Sequence, residues 1–157
     1  MKHVLLPHDG DEPADAALSF ACEGFPDASI TVLHVVEPFP DHTAAGADDV
    51  SSDWRERAEA YANGIFESAR SIAAEFDTTV ETEWVYGRPR RQILEYADDH
   101  GVDQIVMGSH GRGAVGRLVF GSVAETVVRR SPIPVTIVRQ RWGPDANDAS
   151  DGARGTN

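Results

Sequence analysis

The sequence predicts a single α/β domain in which five mostly parallel strands form an open sheet with helices on both faces. Strand and helix signals alternate along the chain, as they do when parallel strands are joined by helical crossovers. The first two predicted strands are continuous runs of β-branched and apolar residues, which is typical of strands buried on both faces. The length of 157 residues, 41% of them hydrophobic, suits one domain with a substantial core.

The first half of the chain contains two strands and two helices. The strands are predicted at Lys2 to Leu6 and Ser29 to Val36, and between them Pro13 suits the first turn of a helix. A long helix is predicted from Asp53, which stands at capping-box spacing from Glu56. The apolar stripe of this helix is interpreted as core and comprises Trp54, Ala58, Tyr61, Ile65, Ala69, Ile72 and Phe76.

The second half continues the alternation. Thr78 to Val85 alternates apolar and polar residues, which predicts a strand near a sheet edge. A helix opens at Gly87-Arg-Pro89, and a fourth strand follows at Val102 to Met107. The last helix is predicted at Val123 to Arg130, and the fifth strand at Pro134 to Val138.

Two segments fall outside this pattern. Phe39 to Ser52 is rich in Asp, Ala, Gly and Pro and is predicted to be a mobile loop. Residues 141–157 have little apolar content and are predicted to form a disordered acidic tail, so the domain is assigned to residues 1–140.

No apolar run approaches the ~20 residues that a membrane span requires, and Met1 to Pro7 is too short for a signal peptide. We therefore expect no membrane partner.

Composition narrows the function classes further. The net charge of -12 argues against binding nucleic acid through its phosphates. A single cysteine, Cys22, excludes an internal disulfide and suits the cytoplasm, where we expect it to be a small buried side chain on a helix. Lys2 is the only lysine, and an acidic surface with almost no lysine predicts a halophilic protein. The alternative is an ordinary acidic protein.

A glycine-rich segment between the fourth strand and the last helix is the strongest candidate binding site. It contains Gly108-Ser-His-Gly111, nine further residues, and then Gly121-Ser122. Glycine lets a phosphate approach the backbone, the free amides of a helix's first turn attract anions, and a serine near the cap adds a hydroxyl donor. Pro7-His-Asp9-Gly leaves the first strand at the same sheet edge, where ligands of such sheets bind. We expect a nucleotide there.

Two better-known phosphate-binding motifs do not explain this segment. Gly111-x-Gly113-x-x-Gly116 matches the dinucleotide-binding string, but the helix begins only after Gly121 and no carboxylate lies near Thr136. A Walker A loop is excluded because the chain has no Gly-Lys-Ser/Thr triplet. The alternative is a flexible glycine loop without a ligand.

The segments Met107-Gly-Ser-His-Gly-Arg-Gly, Gly121-Ser-Val-Ala-Glu and Ser131-Pro-Ile-Pro-Val-Thr-Ile-Val138 resemble the C-terminal half of universal stress proteins. The resemblance extends over about Lys2 to Arg139 and implies a Rossmann-like fold of the adenine nucleotide alpha hydrolase-like type. Members that bind ATP share G-x-x-G, nine residues, and G-[S/T]. The matching positions here are Gly108, Gly111, Gly121 and Ser122.

The resemblance also implies roles for individual residues. The glycine backbones, Ser122 and the Val123 amide would hold the triphosphate of ATP. Apart from the resemblance, no carboxylate cluster in the sequence has a spacing that demands a metal, so any Mg²⁺ would arrive with the triphosphate. Asp9 would accept hydrogen bonds from the ribose hydroxyls, or is alternatively a turn or helix-capping carboxylate. Val35 would face the adenine, or alternatively packs in the core. The predicted site comprises Pro7, Asp9, Val35, Met107, Gly108, His110, Gly111, Arg112, Gly121, Ser122 and Val123.

Charges near the predicted site depart from the family pattern. Asp11 and Glu12 would weaken triphosphate binding unless they face away or a divalent cation intervenes. The residues that could offset this charge are His8, His110, Arg112 and Arg117. Arg112 is the preferred additional phosphate contact, with a solvated arginine as the alternative. The two histidines could instead be exposed and uninvolved.

The leading hypothesis is a cytoplasmic ATP-binding sensor or regulator of the universal stress type. It would form a homodimer through the edge strand Pro134 to Val138. A second hypothesis is a slow enzyme that hydrolyses ATP or transfers its adenylyl group, with His110 as the one obvious acid–base candidate in the loop. A third is a nucleotide-free dimeric interaction module. No catalytic residue and no metal site are predicted.

Overall fold

The computed structural model describes residues 1–37, 51–109 and 121–139, without the side chains of residues 51 and 52. The strands are β1 His3–Pro7, β2 Ser29–Val36, β3 Val80–Tyr86, β4 Gln104–Gly108 and β5 Val135–Val138. The helices are α1 Glu12–Gly24, α2 Ser51–Ala74, α3 Pro89–Asp99 and α4 Ser122–Arg130. These elements confirm the predicted alternation of strands and helices.

The five strands form one sheet in the order β3-β2-β1-β4-β5, and every neighbouring pair is parallel. The chain adds β2 and β3 on one side of β1 and then crosses to the other side for β4 and β5. The strand order therefore reverses between β1 and β4, where the carboxyl ends of an open parallel sheet leave a crevice for a ligand. The predicted edge positions of β3 and β5 are confirmed.

Hydrophobic cores lie on both faces of the sheet. Leu6 and Val32 point to the face covered by α1 and α2, where the small residues of α1 allow close packing. Leu5 and Leu33, their neighbours along the strands, point to the opposite face, covered by α3 and α4. All four leucine and valine side chains are fully buried. This alternation explains why both strands appear in the sequence as continuous apolar runs.

The predicted apolar stripe of α2 is wrong in part. Tyr61 is 60% exposed. Phe76 packs against the core as predicted, but it lies beyond the helix, which ends at Ala74. The residues of α2 that are fully or almost fully buried are Ala62, Ile65, Phe66, Ala69 and Ala73. Two adjacent stripes on a helix satisfy the same 3.6-residue period, so periodicity alone did not distinguish them. Helix α2 also begins at Ser51, inside the predicted loop; the rest of that loop and the predicted tail lie outside the described residues.

Cys22 is 2% exposed on α1, as expected for a packing residue. Burial raises the pKa of its thiol, which keeps it protonated and unreactive at neutral pH. Within the described parts of the chain, no helix combines the length and apolarity needed to cross a membrane, and no group of His, Cys, Asp or Glu side chains is arranged to hold a metal ion.

Candidate functional site

A cleft of about 360 Å³ opens at the carboxyl edge of the sheet, where the strand order reverses. Its walls come from the ends of β1, β2 and β4 and from the first turns of α1, α3 and α4. The predicted site residues that line it are Pro7, Asp9, Val35, Met107, Gly108 and Val123. Residues from three distant parts of the sequence therefore meet at one surface.

The other predicted site residues are not among the described residues that line the cleft. Gly121 is the N-cap of α4 and Ser122 is its first residue, so both adjoin Val123 without lining the cleft themselves. His110, Gly111 and Arg112 lie outside the described residues. The cleft is also lined by residues outside the predicted site, namely His8, Pro13, Ala14, Leu33, His34, Glu37, Pro89, Ile93 and Ala124. His34 and Glu37 flank Val35 at the end of a predicted strand, and that position was the signal that could have identified them.

His8 holds the turn that follows β1, and the alternative in which it is exposed and uninvolved is wrong. Its side chain is 2% exposed. Its Nδ1 accepts a hydrogen bond from the Gly10 amide at 3.0 Å, so the proton of the neutral ring is on Nε2, which lies 2.9 Å from Asp15 Oδ1. The His8 carbonyl accepts a hydrogen bond from His34 Nδ1 at 2.9 Å. These bonds fix the turn that carries Asp9.

Asp9 combines a place on the cleft wall with a local structural role. Its Oδ1 accepts a hydrogen bond from the Asp11 amide at 3.1 Å, which is the turn geometry of the alternative interpretation. Asp11 and Glu12 are exposed at the beginning of α1 and are not among the residues that line the cleft. The positive end of the helix dipole stabilises acidic residues at the beginning of a helix. The charges of Asp11 and Glu12 therefore have a structural explanation that does not involve a ligand.

Gly108 is required by packing. A Cβ atom at this position would overlap the backbone carbonyl of Pro13 and lie 2.8 Å from its Cβ. The end of β4 therefore touches the first turn of α1 directly, and only glycine allows this approach. The next amide, that of Ser109, donates to the Val138 carbonyl at 3.0 Å and so completes the sheet. The prediction had explained Gly108 by phosphate access alone.

The beginning of α4 supplies hydrogen-bond donors at the cleft. The Gly121 carbonyl accepts the Glu125 amide at 2.9 Å, so the amides of residues 122–124 precede the first intrahelical bond and have no helical acceptor. Val123 and Ala124 belong to this turn and line the cleft. Free amides and the positive end of the helix dipole favour an anion here.

The described lining residues bring negative rather than positive fixed charge to the cleft. Asp9 and Glu37 contribute carboxylates, whereas no lysine or arginine is among the described lining residues. Arg112 and Arg117 lie outside the described part of the chain. Within the described site, an anionic group is therefore favoured at the amides of α4 and opposed at the two carboxylates.

Comparisons with known proteins agree with this architecture. Residues 1–139 match the model of the Universal stress protein family. A universal stress protein of Thermus aquaticus is 35% identical over 141 residues, which are 88% of this chain and 98% of that protein. A universal stress protein of Methanocaldococcus jannaschii is 30% identical over 145 residues, which are 88% and 82% of the two chains. The solved structure of universal stress protein UspA from Lactobacillus plantarum is 28% identical, has a TM-score of 0.71, and is matched over 88% of this chain and 97% of its own.

Two less similar solved structures contain nucleotides. A universal stress protein in complex with cAMP is 24% identical, has a TM-score of 0.63, and is matched over 87% of this chain and 96% of its own. The universal stress protein from Archaeoglobus fulgidus in complex with dAMP is 23% identical, has a TM-score of 0.60, and is matched over the same shares. At these identities the likeness establishes a shared fold.

Proposed function

This chain belongs to the universal stress protein family, and on that premise we propose that it binds ATP in the cleft and acts as a nucleotide-dependent sensor or regulator. The observation that carries the proposal is the meeting of Asp9, Val35 and Val123 at the point where the strand order reverses. The complexes of proteins of the same fold with cAMP and dAMP support an adenine nucleotide as the ligand.

The proposed pose follows the chemistry of the cleft wall. Adenine lies against the apolar side chains of Val35 and Ile93, and the ribose hydroxyls donate to Asp9. The phosphates point to the free amides of residues 122–124, with Arg112 as the proposed additional contact. Each part of the nucleotide thereby meets a wall of matching polarity.

The charge of the cleft favours ATP together with Mg²⁺. The carboxylates of Asp9 and Glu37 would repel a bare triphosphate. Mg²⁺ commonly binds proteins through the phosphates of the substrate rather than through a protein cage. We propose that the cation travels with the nucleotide and reduces this repulsion.

We further propose that the protein acts as a homodimer in the cytoplasm. Strand β5 pairs with β4 on one side, and its other side has no strand partner among the described residues. Its residues Val135 and Ile137 are half-buried. Pairing with the same strand of a second copy would cover this edge. The cytoplasmic location and adaptation to high salt stay predictions from composition.

Calorimetry with ATP, ADP, AMP and cyclic AMP, with and without Mg²⁺ and at low and high salt, tests the proposed function. We expect one nucleotide per chain, with Mg-ATP bound more tightly than ATP alone because the cation lowers charge repulsion. No binding of any nucleotide would contradict the proposal and favour a nucleotide-free interaction module.

A separate incubation tests the enzymatic alternative. We expect ATP to be recovered unaltered after long incubation with the protein. Turnover that His110→Ala abolishes would favour the enzymatic alternative.

The ribose assignment is tested by Asp9→Asn. Asparagine keeps an oxygen for the Asp11 amide, so the turn persists while the charged acceptor is lost. We expect the affinity for ATP to fall about tenfold and the affinity for 2′,3′-dideoxy-ATP, which lacks both hydroxyls, to change little. Asp11→Asn makes the same charge change outside the cleft and serves as the control. Equal losses for both nucleotides in Asp9→Asn would rule out the ribose contact.

A further inference from the structure

A second groove, of about 690 Å³, lies over α3 and α4 and shares no lining residue with the nucleotide cleft. Its lining comes from the turn before α3, from the first half of α3 and from the outer side of α4. We propose that this groove, here called the arginine groove, is a docking surface for a carboxylate-rich segment of a partner protein.

The charge of the arginine groove is opposite to that of the chain. It is lined by Arg88, Arg90, Arg91 and Arg130 and by a single carboxylate, Glu95. The whole chain has 14 lysine and arginine residues against 26 acidic ones, so four arginines in one groove are a local concentration of positive charge in a protein of net charge -12. Positive potential is focused where such charges line a concave surface.

Three of these arginines have no ionic partner in the described parts of the chain. Arg91 Nε donates to Glu95 Oε1 at 2.7 Å, four residues along the helix. Arg88, Arg90 and Arg130 are exposed, and no described carboxylate pairs with them. Their guanidinium groups are therefore available to an anion from another molecule.

The arginines at the beginning of α3 are electrostatically unfavourable for this helix when no anion is bound. The first turns of α1, α2 and α4 all carry acidic residues, which the positive end of the helix dipole stabilises. The first turn of α3 has none, and Arg88 is its N-cap. Positive charges at this end repel the dipole and one another, and a bound anion would relieve both repulsions. Residues that break a rule of local structure, with no compensation among the described residues, are typical of a functional surface.

The shape and composition of the groove favour a peptide that carries several anionic groups. A guanidinium group binds a carboxylate through two parallel hydrogen bonds. The arginines come from two helices and a turn, so a ligand must carry several anionic groups to contact them together. The Gln92 amide offers hydrogen bonds to a peptide backbone, and the half-buried Leu94 offers an apolar contact. The Thr126 hydroxyl donates to the Ser122 carbonyl at 2.9 Å, so only its oxygen can still accept a bond. The overall negative charge of the chain disfavours a long nucleic acid.

The test is fluorescence anisotropy of a labelled hexaglutamate peptide titrated with the full-length protein. We expect binding that the double variant Arg88→Gln/Arg90→Gln weakens about tenfold or more, because two charge-assisted contacts are lost. Arg55→Gln/Arg57→Gln, which removes the same charge from α2, is expected to leave peptide binding unchanged. Nucleotide binding is expected to be the same in both variants and the parent, because none of these residues lines the cleft.

Three results would overturn the proposal. Equal weakening by the α2 control would show that the peptide senses only overall charge. Failure to bind hexaglutamate while inorganic tripolyphosphate binds and loses affinity in Arg88→Gln/Arg90→Gln would make the groove a small-anion site. A fall in Tm in the same double variant would show that the two arginines stabilise the fold, whereas the proposal expects an unchanged or higher Tm.

Discussion

Replacing Gly108 with alanine is expected to destabilise the domain by about 3 kcal/mol, at the upper end of the usual cost of overpacking a core. The added methyl would overlap the Pro13 carbonyl, and backbone cannot rotate away as a flexible side chain can. Strand β4 and helix α1 would have to separate, although they are closely packed through the fully buried Val106 and Ala17. Thermal unfolding should show a Tm lower by about 6–12 °C.

Gly64→Ala is the matched control for this change. Gly64 lies within α2, and a Cβ atom there meets no heavy atom within 4 Å. Since alanine is the better helix former, this variant should gain about 0.5–1 kcal/mol of stability. A Gly108→Ala variant that unfolds at the parent temperature would refute the packing role. If this thermally unchanged Gly108→Ala variant had lost nucleotide affinity, Gly108 would instead be needed for the approach of the phosphates, as the sequence predicted.

The fold was predictable because each of its determinants is local. Apolar β-branched runs such as Ser29 to Val36 identify buried strands, and Pro89 identifies the beginning of a helix. A right-handed crossover then leaves few arrangements for alternating strands and helices. The location of the cleft followed for the same reason, since the carboxyl ends of β1 and β4 must lie at one edge.

Other features depend on contacts between distant residues, and the sequence did not reveal them. Gly108 was recognised as important, yet its steric partner is Pro13, on a helix far away in the sequence. The sequence left open whether His8 is exposed, because nothing local shows that Asp15 would reach its ring. Tyr61 satisfied the helical period but lies beside the buried stripe. There the centroid of its ring is 5.6 Å from the centroid of the His34 ring.

The roles assigned to the site residues stay predictions, and their strongest test is Gly121→Val. We expect this variant to fold and to bind Mg-ATP about 100-fold more weakly, a loss of about 2.7 kcal/mol. Folding should persist because Gly121 has φ -57° and ψ 157°, which valine can adopt. The cost of a valine N-cap is about 1 kcal/mol. Binding should fail because a branched side chain would stand beside the free amides of residues 122–124, where the phosphates are proposed to lie.

The Gly24→Val variant shows whether a loss of nucleotide affinity in Gly121→Val is specific to position 121 or follows from any glycine-to-valine change. Gly24 ends α1, and a Cβ atom there meets no heavy atom within 4 Å, so its nucleotide affinity should match the parent. Calorimetry with adenosine supplies the second comparison, because adenosine has no phosphates and should bind Gly121→Val and the parent alike. Parental Mg-ATP affinity in Gly121→Val would place the phosphates away from α4. Loss of adenosine binding as well would show that the substitution deforms the whole cleft, since a change limited to the phosphate end leaves the Val35 end intact.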